Sequence, residues 1–104
     1  MAQGRRVVIT GLGTVCPNGN NVTSSWNSVI NGESGAELIQ RFDTSEFATK
    51  FGATVKDFDK NENIDPKDSR RLDPFIKFVL AETAEAIKES VINFEEHDLD
   101  RIGV

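Results

Sequence analysis

Apolar and polar positions divide the chain into a few short elements. Arg5-Arg6-Val7-Val8-Ile9-Thr10-Gly11-Leu12-Gly13 is a compact β-branched run ending in glycines, the pattern of a strand buried on both faces. Pro17-Asn18-Gly19-Asn20-Asn21 is turn chemistry. Val22, Trp26, Val29 and Ile30 then recur at helical spacing, and Gly32 stands where a C-cap would stop that helix. The first third of the chain therefore predicts a strand that passes through a glycine loop into an amphipathic helix.

Further along, Asp43-Thr44-Ser45-Glu46 has the form of a capping box for a short turn. Lys50-Phe51-Gly52-Ala53-Thr54-Val55 predicts an extended segment broken at its glycine. Asp57 to Ile64 is polar and acidic and predicts a surface loop. Asp65-Pro66 supplies an N-cap followed by proline at the first helical position, and Asp73-Pro74 repeats the signal. Proline inside a continuous helix costs about 3 kcal/mol and at a new first turn almost nothing, so the region predicts two helices. The second runs from Pro74 to about Ser90. It carries Phe75, Ile76, Phe78, Val79, Leu80, Ala84 and Ile87 around most of its circumference, with Glu82, Glu85, Lys88 and Glu89 in a narrow polar stripe. Such a helix needs more than one neighbour to cover it.

A doubly buried strand and a nearly all-round apolar helix call for layers on both sides, and the remaining weak extended segments are too few to build them. Arg101-Ile102-Gly103-Val104, after the acidic loop Glu95-Glu96-His97-Asp98-Leu99-Asp100, resembles the first residues of another buried strand. No internal repeat or low-complexity segment closes the architecture. The pattern reads as an α/β chain that is incomplete by itself.

Composition narrows the function classes. The 104 residues, 38% hydrophobic and 28% charged, have the makeup of an ordinary globular protein and not of a disordered one. No apolar run approaches the roughly 18 to 20 residues that cross a bilayer, and the opening run is too short and too β-branched for a signal sequence, which predicts a cytoplasmic protein without membrane insertion. A formal net charge of -5 argues against general affinity for nucleic acid. The single cysteine, Cys16, has no thiol or histidine at zinc-ligand spacing, so neither a disulfide scaffold nor a metal site is expected.

Three features carry candidate chemistry. Gly11-Leu12-Gly13 invites a dinucleotide-binding reading, but the third small residue of that motif would fall on Cys16, with Pro17 next, which favours structural turn glycines. Cys16 near a helix start could be a nucleophile, yet no base stands near it in sequence. A buried structural thiol and a solvated His97 suit the surroundings better. Lys67, Arg70 and Arg71, at i, i+3 and i+4, place three cations on one face of the short helix, the only basic cluster on an acidic chain. Spacing leaves open a solvated face paired with Asp68 or Asp73, or a docking patch for an acidic partner.

Taken in order, Arg5 to Gly13, Pro17 and Gly19, Trp26, Gly32-Glu33-Ser34-Gly35, Phe42-Asp43-Thr44-Ser45, Lys56-Asp57-Phe58, Arg70-Arg71-Leu72-Asp73, Phe75 and Arg101 to Val104 resemble the opening of the β-ketoacyl-acyl carrier protein synthases. The resemblance covers the whole chain in one register and is closer to the elongating, second type than to the initiating, third type. It implies that residues 1–104 are the N-terminal part of the first half of a thiolase-like fold, layered αβαβα and usually homodimeric, whose remainder would supply the missing layers.

The activity so implied is decarboxylative condensation of an acyl group, held on an active-site cysteine, with malonyl-acyl carrier protein, without a cofactor. No catalytic residue of the family falls within this segment. At the positions of Lys67, Arg70 and Arg71 the resemblance implies the surface that meets the acidic helix of acyl carrier protein. Two other readings stay in view: an independent nucleotide-binding half-domain built on the glycine loop, and a non-catalytic chain-length partner of a polyketide system.

Overall fold

In the computed structural model, which describes residues 3–58 and 64–104, helix α1 spans Val22–Ile30 and strands β1 and β2 span Ala36–Leu38 and Phe51–Ala53. Helix α2 spans Pro66–Ser69 and α3 Pro74–Ser90, and single 3-10 turns follow at Phe94–Glu96 and Leu99–Arg101.

The helix ends are written locally, as the sequence predicts. Asn21 is extended, and its side chain accepts from Ser24 N at 2.8 Å, satisfying one of the four unpaired N–H groups of the first turn. At the other end Gly32 takes φ +69°, Gly32 N donates to Val29 O and Glu33 N to Ser28 O. That is the paired closure for which a residue without Cβ is best suited. Asp65 caps α2 by accepting from Lys67 N at 2.8 Å, and prolines open both α2 and α3. The two-helix reading of the Asp-Pro pairs holds, with α3 ending at Ser90 before Val91 turns left-handed.

Strands β1 and β2 pair antiparallel in the register Ala36↔Ala53, Glu37↔Gly52 and Leu38↔Phe51. The ribbon is extended by Ile39 N donating to Lys50 O and by the half-exposed Lys56–Glu37 ion pair at 3.2 Å. The extended segment expected around Gly52 is therefore β2, whereas β1 carried too little alternation to be read from sequence. Asp43 opens a short turn, as the sequence indicates: its carboxylate accepts from Ser45 N at 3.0 Å, and Phe47 N closes on Thr44 O. The acidic loop expected from Asp57 to Ile64 lies in part, at 59–63, outside the described residues.

The largest departure concerns Arg5 to Gly13. The segment has no ladder and is not a strand, and Val7 and Ile9 are 89% and 82% exposed. β-branched residues favour extended backbone, but a strand also needs a neighbour to take its N–H and C=O groups. The described residues offer no such edge here. Likewise Ile102 to Val104 is exposed and joins no ladder, Ile102 N donating only back to Leu99 O of the preceding turn.

Surface area carries the same message. A folded monomer of 11.5 kDa exposes about 5800 Å², whereas this chain exposes 9180 Å². Its radius of gyration is 18.1 Å against about 13 Å for a compact domain of this length. Among the described residues, Ala81 of α3 is the one buried apolar side chain and Ser25 of α1 the one buried polar side chain. The chain is an α/β assembly of elements with most of its apolar surface bare.

Candidate functional site

The segment that fails to form a strand is nevertheless held, and the polar stripe of α3 holds it. Glu82, Glu85 and Glu89 lie on one face of that helix at i, i+3 and i+7. Val15 N donates to Glu82 Oε1 at 3.0 Å, Thr14 N to Glu85 Oε2 at 3.1 Å, and Leu12 N to Glu89 Oε2. Glu85 Oε1 also accepts from Val22 N, the first residue of α1, at 2.9 Å. Carboxylates thus take over part of the work of a strand ladder.

This approach explains the glycine pair. A Cβ at Gly11 would meet the carbonyl of Ala86, and one at Gly13 the carbonyl of Glu82, both in the backbone of α3. The space that a pyrophosphate would need beside these glycines is filled by a helix, so the structural reading of Gly11-Leu12-Gly13 is the one the geometry supports.

Cys16 sits in the turn that follows. Cys16 N and Gly19 N exchange hydrogen bonds with each other's carbonyls at 2.9 and 3.0 Å. The thiol donates to Ser25 Oγ at 3.3 Å, and Ser25 Oγ donates to Gly19 O at 3.2 Å. The Ser25 hydroxyl draws the thiol below its ordinary pKa, aided by the backbone at Asn18 and Gly19 and opposed by desolvation and the Glu82 charge. Ser25 is the side chain that hydrogen-bonds the sulfur. His97, after the 3-10 turn at Phe94–Glu96, donates its backbone N–H to Phe94 O. The structure does not join Cys16 and His97 into a nucleophile–base pair. Among the described residues no group of three or more His, Cys, Asp or Glu side chains is arranged to hold a metal ion, and no helix is long and apolar enough to cross a membrane.

The basic cluster lies at the other end of the α2–α3 corner. Only Lys67 is within α2; Arg70 is its C-cap, at φ -77° and ψ -17°, and Arg71 follows with its N–H on Asp68 O at 2.9 Å. The expected helix face therefore exists as one turn and its cap. All three side chains are exposed. None pairs with Asp68, Asp73 or another carboxylate among the described residues.

With this geometry in place, comparison with known proteins resolves the class. The family model of the Beta-ketoacyl synthase, N-terminal domain, matches residues 4–104, and the chain belongs to that family. Its relatives include the 3-oxoacyl-[acyl-carrier-protein] synthase 2 of Vibrio harveyi and that of Vibrio cholerae serotype O1, each 42% identical over 100 residues, 96% of this chain and 24% of the relative. The protein of the same name from Staphylococcus aureus strain COL is 36% identical over 104 residues, 100% of this chain and 25% of the relative. The chain spans about a quarter of the length of the curated relatives it matches.

The structure leaves Lys67, Arg70 and Arg71 exposed with only Lys67 inside α2, and the sequence pattern did not reveal the role of Glu82, Glu85 and Glu89. Their signal was present as three carboxylates on one face of an otherwise apolar helix. A polar stripe ordinarily reads as the solvent side, and here it meets backbone.

Proposed function

We propose that residues 1–104 form the N-terminal part of the first thiolase-like half of a fatty-acid elongation synthase. The whole enzyme would condense an acyl-enzyme with malonyl-acyl carrier protein, releasing carbon dioxide, in the cytoplasm and as a homodimer. The remainder of the polypeptide would supply the catalytic cysteine and histidines and cover the bare faces. This segment contributes scaffold and a landing surface for the carrier at Lys67, Arg70 and Arg71. Family membership supports the reaction class; the observation that carries the docking role is the exposed cluster of three cations with no described carboxylate paired to it.

The charge balance favours a local role for that cluster. A chain of net charge -5 repels an acidic partner at long range. At physiological ionic strength fields decay over about 8 Å, so the three cations act only at short range, where they stand in sequence among Asp65, Asp68 and Asp73. Such charges act chiefly on encounter and orientation. Reversing both arginines (R70E/R71E) in the complete enzyme should raise KM for acyl-carrier thioesters about tenfold, equivalent to about 1.4 kcal/mol. KM for acyl-coenzyme A mimics should stay unchanged. Equal loss on both substrate classes would mean that the corner serves folding or the pocket and not the carrier.

A further inference from the structure

We infer that Glu85 is a two-point latch that fixes α1 to α3 through the glycine loop, and that it must be a carboxylate to do so. Apart from the β1–β2 ribbon, no two regular elements of the described chain pack extensively against each other. The tie between α1 and α3 therefore falls to individual hydrogen bonds. Glu85 is half-buried and uses both oxygens: Oε1 accepts from Val22 N at 2.9 Å and Oε2 from Thr14 N at 3.1 Å.

Val22 N is one of the unpaired donors of the first turn of α1. The local cap, Asn21, serves Ser24 N and leaves Val22 N to a residue 63 positions away. A negative charge there is also favoured by the helix dipole. Thr14 N lies where the extended segment has no ladder, and its partner is the same carboxylate.

Two converging N–H donors require two acceptor oxygens. A glutamine offers one oxygen and an NH2 group, so Glu85→Gln would set a donor against a donor despite its matching shape. An aspartate would be one methylene short of both amides. The latch thus makes a prediction that ordinary packing does not: relieving one of the two donors should make glutamine acceptable.

Val22→Pro provides that relief. Proline suits the first position of a helix, where its missing N–H leaves no gap in the helix, and Asn21 before it is already extended, at φ -156° and ψ 169°. In the complete protein, E85Q should accelerate amide hydrogen exchange at residues 14 and 22–25 at least tenfold, with no change in β1–β2. In a V22P background the same E85Q substitution should change exchange at residue 14 less than twofold. Lys88→Gln, on the same helix, should change neither. Equal effects of E85Q in the two backgrounds, or no effect in either, would overturn the latch. If E85Q fails to fold, recovery of folding in V22P/E85Q supports the latch, and failure of both variants counts against it.

Discussion

The two faces of α3 invert the usual relation between polarity and burial. On one face Glu82, Glu85 and Glu89 meet the backbone of the glycine loop. On the opposite face Leu80 and Ile87, seven residues apart, are 45% and 41% exposed. A helix surrounded by its own chain would show the reverse pattern, because burying an aliphatic side chain is worth about 1.5 to 3 kcal/mol. The difference teaches that the polar stripe was spent on an internal partner that lacks ladder bonds. The apolar face is left as adhesive surface for a layer that the described residues do not provide.

The strongest way to break the comparison is to push the loop off the glutamate face. Gly13→Val sets a branched side chain against the backbone of α3, where neither side has room to yield. The loss should be at least about 3 kcal/mol. It should appear as lost soluble protein or a collapsed thermal transition in the complete protein, and a tolerated valine would mean that loop and helix do not approach so closely.

A smaller effect tests the bare face. Produced alone, residues 1–104 should self-associate, since exposed aliphatic side chains and unpaired extended backbone are sites of aggregation. Replacing Leu80 and Ile87 by glutamine should shift sedimentation toward monomer while leaving the amide of Thr14 as protected as before. Unchanged association would place the sticky surface elsewhere, for instance on Val7 and Ile9.

The smallest effect sharpens the contrast between the half-buried Glu85 and an exposed carboxylate. Hydrogen bonds from the Ser45 backbone and side chain hold the Asp43 carboxyl below its ordinary pKa. A depressed folded value means that the stabilisation is present above the unfolded pKa and is lost as pH falls through the folded one. Order in the Asp43–Phe47 turn should therefore survive through neutral and mildly acidic pH and fade only below the usual carboxylate range, as followed by the Ser45 amide shift. The exposed site means a local change without loss of the fold.

Much of the architecture was legible because its causes are local. Gly32 and Asp65-Pro66 punctuate helices through φ preferences and short-range hydrogen bonds where the sequence indicated, and Asp73-Pro74 opens α3 there as well, although the Asp73 side chain makes no cap hydrogen bond. The order of motifs likewise pointed to the synthase family.

What escaped the sequence depends on partners distant along the chain. Whether Arg5 to Gly13 becomes a strand is decided by a neighbouring edge, not by its β-branched residues. The short β1 became visible only through its pairing with β2. The role of Glu85 required Thr14 and Val22 to converge on one carboxylate from 71 and 63 residues away. By itself the sequence determined where helices begin and end and which family the chain joins, because those are written in local preference and in the order of residues. Only the tertiary structure decided that Glu82, Glu85 and Glu89 of α3 meet the glycine loop, because a carboxylate is as well satisfied by backbone amides as by water.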